Sequence, residues 1–333
     1  MFNKIKMFFK NNWSYLLTFG IILLLFLIKI PYQVEMPGGI IDLNNRVTID
    51  GEETQIDGSF NMSYVSVIQG SIPYALLSYV VPDWDLVKSD DVKNKNETID
   101  EANKREKLQL EQSKNYAIVA ALRAAGYDPV IKDKVNYVAM VSVDSNNEFK
   151  VGDNILEVDG ETLYDMDELK EIINGHEVGD ILTFKVLRNK KEVDVKGEVY
   201  SDKDGKYIGI YPITTFTIDA PVDVKITSKR TESGPSGGLM MALMTYNALM
   251  KTDLTKGKKI VGTGTINLEG KVGPIGGVKY KLMGAVRNKA DVFLVPAGEN
   301  YEEAIKVKKD KKYDIEIVPV ETLKDAINYL EEA

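Results

Sequence analysis

Trp13 to Ile30 reads WSYLLTFGIILLLFLIKI, interrupted only by Ser14, Thr18 and Lys29 as polar side chains. At 1.5 Å per residue, a helix of that length is about the minimum that crosses a ~30 Å hydrocarbon core. Lys29 lies near the outer end, where its butyl stem lets the ammonium snorkel. Lys4, Lys6 and Lys10 precede the run, and this excess of cations predicts a cytoplasmic tail over 1–12, an anchor over 13–30 and an extracytoplasmic remainder. A cleaved signal peptide shares the charged start and apolar run, but Pro31-Tyr32-Gln33-Val34 contains no small-residue cleavage site. The expectation is an uncleaved, single-pass anchor in the cell membrane.

The chain as a whole has globular composition, with 44% hydrophobic and 28% charged among its 333 residues. The net charge of −8 argues against nucleic acid as a partner. Cysteine is absent, which removes thiol nucleophiles, disulfides and cysteine-based zinc sites together. The one histidine, His176, sits in the turn-like stretch Asn174-Gly175-His176-Glu177-Val178-Gly179, where a plain surface role is expected. Any nucleophilic chemistry is therefore expected to use a base other than imidazole. No cofactor or metal site is expected.

Three stretches follow the anchor. Residues 31–125 carry strand patterning at Val47–Ile49 and Phe60–Ile68, then a connector rich in Lys, Asp, Glu and Asn over 88–115. The helical pattern emerges from about Glu111 and is stopped by Gly126. Residues 126–200 give, in order, a strand over 138–143, a strand ending at Asp159-Gly160, a helix over 165–174, and strands over 181–187 and 193–199. Residues 201–333 contain short strand candidates and two glycine-rich turns, each feeding a helix.

In the first turn, Gly234-Pro235-Ser236-Gly237 precedes an apolar helix from Leu239 to Met250. Ser236 thus falls at a helix amino terminus, where free N–H groups carry positive partial charge and can stabilise an oxyanion. Serine is also a preferred helix cap, and Ser233 is a competing hydroxyl. The second turn, Gly273-Pro274-Ile275-Gly276-Gly277, places Lys279 in the first turn of the next helix. A cation there is disfavoured by the macrodipole, and burial lowers a lysine pKa further from its usual ~10.4. Lys281 lies about 200° around that helix, so the two lysines cannot face one site. Glu269-Gly270-Lys271-Val272 lacks the Ser or Thr of a phosphate loop, so no nucleotide site is expected.

Two resemblances organise these features. The strand, strand, helix, strand, strand order and the Val151-Gly152-Asp153-x-Ile155-Leu156-x-Val158-Asp159-Gly160 run resemble a PDZ domain, which implies peptide capture by strand addition. No carboxylate-binding glycine loop precedes Val138. Gly-Pro-Ser-Gly-Gly, Gly262-Thr263-Gly264-Thr265-Ile266 and Val272–Lys279 appear in the order of the proteolytic domain of Lon-type (S16) peptidases. That resemblance implies Ser236 as nucleophile and Lys279 as base, with Thr263 close to the lysine and Gly234, Pro235 and Gly237 in support. The family carries Lys-Asp-Gly-Pro-Ser-Ala-Gly, whereas this chain has Glu232-Ser233 before the glycine and Gly237 after the serine. The whole is similar to the membrane-anchored PDZ-Lon proteases of Gram-positive bacteria. The implied fold is α+β: a transmembrane helix, then a Lon-type domain built from 31–125 and 201–333 with a β-rich PDZ domain inserted. The implied activity is ATP-independent cleavage of secreted or membrane-tethered peptides outside the cytoplasm. The rival readings are a PDZ adaptor or a chaperone on a non-catalytic protease scaffold.

Overall fold

The computed structural model describes residue 7 and residues 12–89, 97–142, 145–203 and 205–332. Lys4, Lys6 and Lys10, on which the expected orientation depends, lie outside the described residues, as does Val143. The apolar run forms helix α1 (Trp13–Leu27), 15 residues long, and Ile28 already turns extended at ψ 105°. Lys29 opens strand β1 (Lys29–Asp42), where it pairs with Ser71 of β2 (Ser59–Ser71). The expected span over 13–30 is thus corrected to a shorter helix. Ile-Lys-Ile suits a strand as well as a helix, and β2 supplies backbone partners for it. Among the described residues no helix is long and apolar enough to cross a membrane. No residue of α1 is buried, and its Phe26 meets Tyr74 of α2 (Ile72–Ser78) edge to face at 5.3 Å.

After β3 (Asp85–Lys88), helix α3 runs from Ile99 to Ala124. It starts well before the expected Glu111, because Thr98 and Glu101 form a reciprocal capping box. That cap is worth about 1 kcal/mol and satisfies N–H groups that would otherwise be free. The last turns are buried from Ala117 to Leu122.

A second sheet then forms from β4 (Val130–Val141), β5 (Asn154–Val158), β6 (Ile181–Arg188), β7 (Lys191–Glu198) and β8 (Ile210–Asp219), with helix α4 (Met166–Gly175) capped by Asp165. Its order is β7-β6-β5-β4-β8, antiparallel throughout. Leu182, Phe184 and Val186 alternate inward along β6 and pack with Val138, Ile155, Leu169 and Ile173, as a half-buried strand requires. The unit does not close at 200: β8 gives β4 its second neighbour, so the sheet reaches Asp219. The outer edge of β8 is in turn covered by α3. Asn115 donates to the Phe216 carbonyl at 3.1 Å and accepts from its N–H at 3.3 Å, while Gln112 donates to the Thr214 carbonyl at 3.3 Å.

The chain returns to the first sheet through α5 (Gly238–Met250), β9 (Lys259–Gly262), α6 (Val278–Arg287), β10 (Val292–Pro296), α7 (Glu299–Lys311), β11 (Glu316–Val320) and α8 (Leu323–Glu332). This sheet has the order β11-β10-β9-β2-β1-β3. The β11-β10-β9-β2 pairs are parallel and those of β1 antiparallel. Because β2 pairs β9 directly, the segments before and after the second unit share one core, and that unit is an insertion. Alternation divides the strands between two faces. Ile260, Val292 and Leu294 pack with α3, α5 and α8, while Val261, Phe293 and Val295 pack with α6 and α7. Helix α5, apolar all round, is buried from Gly238 to Ala248, as such a helix must be. The fold is mixed α+β.

Candidate active site

The Ser236 turn is fixed from several sides. Gly234 has φ +86°, its N–H donates to the Glu106 carbonyl at 2.9 Å, and a Cβ there would come 2.8 Å from Glu106 Oε2. The left-handed backbone therefore demands glycine. The Pro235 carbonyl accepts the Ser113 hydroxyl at 3.0 Å and the Gly238 N–H at 3.2 Å. Gly237 packs so tightly on Met62 that a Cβ would lie 2.5 Å from its Sδ. The Ser236 carbonyl accepts the Gly264 N–H at 2.8 Å and the Thr263 hydroxyl at 3.1 Å. Ser236 thus stands immediately ahead of α5, whose N-cap Gly237 offers no side chain to satisfy the first amides.

The structure separates the two lysines of α6. Lys279 points outward, with a side chain 33% exposed and its ammonium 2.6 Å from Asp85 Oδ2. The Tyr280 hydroxyl donates to the same carboxylate, and the Lys279 N–H donates to Glu303 Oε1 at 3.3 Å. Burial pushes the Asp85 carboxyl up, but the hydrogen bonds from Lys279 and Tyr280 and the lysine charge outweigh it and hold it below its usual range. Lys279 is a tie between α6 and β3, and it is not brought to Ser236. This corrects the expectation that it is the base.

Lys281 is brought there instead. It is 4% exposed, and its Nζ donates to Thr263 Oγ1 at 3.2 Å. Thr263, fully buried, donates its own hydroxyl hydrogen bond to the Ser236 main-chain carbonyl and so links the lysine to the serine's backbone. Burial pulls the Lys281 ammonium down to about 8, with the Glu106 charge working in the opposite direction. The physical reason is the register of α6: Val278, Lys281, Leu282 and Ala285 share its buried stripe at helical spacing. That stripe was the available signal, since a lysine among core positions is the buried one. Two cavities meet at Ser233, Gly234 and Ser236. One, about 620 Å³, is lined by Ile40, Met62, Leu110 and the Arg46–Glu232 ion pair. The other, about 430 Å³, is lined by Val65, Thr265, Ile275, Glu106 and Lys281. His176 lies far along the inserted unit's surface turn, its Nδ1 3.3 Å from Asp180 Oδ2.

Comparison with known proteins follows the two cores. Residues 219–332 match the Lon protease (S16) C-terminal proteolytic domain, and residues 113–199 match the PDZ domain. Lon protease of Azospirillum brasilense is 31% identical over 139 residues, covering 42% of this chain and 17% of that protein. Lon protease of Clostridium beijerinckii is 38% identical over 96 residues, covering 29% and 12%. The PDZ domain of the SdrC-like protein from Listeria innocua shows 30% identity over 24% of this chain and 93% of that one, with a TM-score of 0.23. The chain therefore carries a Lon-type proteolytic domain and a PDZ domain, while matching less than a fifth of the length of these Lon proteases.

Proposed function

We propose that this chain is an ATP-independent serine endopeptidase in which Ser236 is the nucleophile and Lys281 the general base. Neutral Lys281 takes the Ser236 hydroxyl proton as the oxygen attacks the peptide carbonyl. It then returns that proton to the leaving amine. The backbone amides at the start of α5 hold the oxyanion. The observation that carries this reading is the buried hydrogen-bond chain from Lys281 through Thr263 to the Ser236 main-chain carbonyl, with Lys281 and Ser236 lining one cavity. Two cavities meeting at the serine suit an extended peptide with a side chain on each side of the cleaved bond. The test is incubation of the purified full chain with an unstructured protein. Cleavage lost in Ser236→Ala and in Lys281→Met supports the reading, and a fully active Lys281→Met chain sinks it.

The reading extends to a membrane-held protease of the PDZ-Lon kind, acting on secreted or membrane-tethered peptides outside the cytoplasm. Its support is α1, apolar around its whole surface and with no buried residue. Such a helix is covered by protein or lipid. At ~22 Å it is shorter than a ~30 Å hydrocarbon core. Recovery of the chain in the soluble fraction after cell breakage would exclude the anchor without touching the catalytic assignment.

A further inference from the structure

We propose that Glu106 is the carboxylate of the active site, a positioning residue that serves as counter-ion to Lys281 whenever the lysine holds the serine's proton. The inference rests on Lys281 as base and adds what lets that base carry a charge in a buried place. Taking up the proton turns Lys281 into an ammonium that is 4% exposed. A buried charge without a partner is costly, and Thr263 offers only a neutral oxygen.

The neighbouring acids are committed elsewhere. Glu232 is held by both oxygens on Arg46 Nη1 at 2.8 and 2.7 Å. Asp85 is held by Lys279 and Tyr280, and Glu303 takes the Lys279 N–H. Among the described residues lining the cavity with Lys281, Glu106 is the sole carboxylate and Lys281 the sole cation. Its orientation is prepared. Arg105 donates to Glu106 Oε1 at 3.1 Å and is itself braced by Glu97 at 2.8 Å. That leaves Oε2 lying over Gly234. The Glu106 carbonyl meanwhile holds the Gly234 N–H at 2.9 Å. One residue of α3 therefore touches the nucleophile turn with its backbone and faces the base's cavity with its charge. The cations nearby are accounted for: on α3 itself Lys107 donates to the Arg230 and Glu232 carbonyls, and Lys229, ahead of the serine turn, lines the other cavity. The carboxylate's charge also opposes the burial that lowers Lys281.

Glu106→Gln keeps the shape and the backbone bond and removes only the charge. The expected result is an acid limb of kcat/KM displaced to lower pH by roughly half a unit or more, with a several-fold lower plateau. Glu106→Asp should return the limb toward its original position. A purely structural role would lower the rate equally at all pH values and leave the limb in place, and that outcome overturns the inference. If Glu106→Gln melts at much lower temperature, the decision passes to the Ser236→Ala chain. There, the rate at which acetic anhydride labels Lys281 is followed against pH, with and without Arg105→Gln to free the carboxylate. An unchanged Lys281 titration would sink the proposal. An active Lys281→Met chain would instead strike the dyad itself, so the two failures are distinct.

Discussion

Lys281 Nζ donates to Thr263 Oγ1 at 3.2 Å, a bond made with both side chains out of solvent. It separates Lys281 from Lys279, which lies on the same helix and ends in a partly exposed ion pair.

The two lysines should therefore respond oppositely. Lys281→Met is expected to lower kcat by about 10² to 10⁴, the usual contribution of a positioned base. Lys279→Ala removes the tie to Asp85 and the ammonium's contact with the Tyr280 ring and should stay within about threefold of the parent, since partly solvated pairs contribute ~1 kcal/mol or less. Peptide cleavage followed by mass spectrometry checks both, and the reverse ranking would restore Lys279 as the base.

The pH profile follows from the same burial. The base works neutral, and burial brings Lys281 from 10.5 to about 8. Activity should thus rise with pH and level off above about 8, losing about tenfold per unit on the acid side. A limb centred near 10 would mean a solvated lysine, and one near 6.5 a different group altogether.

Thr263→Val tests the bridge. It leaves Lys281 without its hydroxyl acceptor and the Ser236 carbonyl with one donor fewer. A fall in kcat of about 10- to 100-fold with a stability loss of about 1–3 kcal/mol is expected. Urea denaturation beside the kinetics separates the two effects.

Asn115→Ala should open the seam between the inserted unit and α3. Both backbone groups of Phe216 lose their partner, at a cost of about 1–3 kcal/mol if they stay buried. Hydrogen exchange at residues 214–216 should accelerate while exchange in β6 does not.

Much of this was legible in the chain. The strand and helix order of the insertion followed from period-two and period-3.6 patterns, and the Gly-Pro-Ser turn marked the start of α5. Other features were obscured for definite reasons. Ile28–Ile30 continues an apolar run, and a run alone does not say where helix gives way to strand. The first half of α3 is polar on most sides, so only Thr98 with Glu101, a capping pair, announced it. Lys281 was readable from the stripe of Val278, Leu282 and Ala285, but turn position drew attention to Lys279 instead. The contacts of Glu106 with Gly234 and of Ser113 with Pro235 were beyond reach, because these partners lie far apart in sequence and meet only in the folded chain.

The sealed edge of β8 changes what counts as a separable piece of this protein. A fragment cut at 126–200 would leave β4 with a bare row of N–H and C=O groups, the kind of edge that recruits another chain. The insertion is thus not a cartridge that can be lifted out or exchanged for a homologue at those two bounds. Any transplant would have to carry β8 and supply a helix bearing the equivalents of Gln112 and Asn115. Evolutionary swaps at this position are accordingly expected to travel with α3.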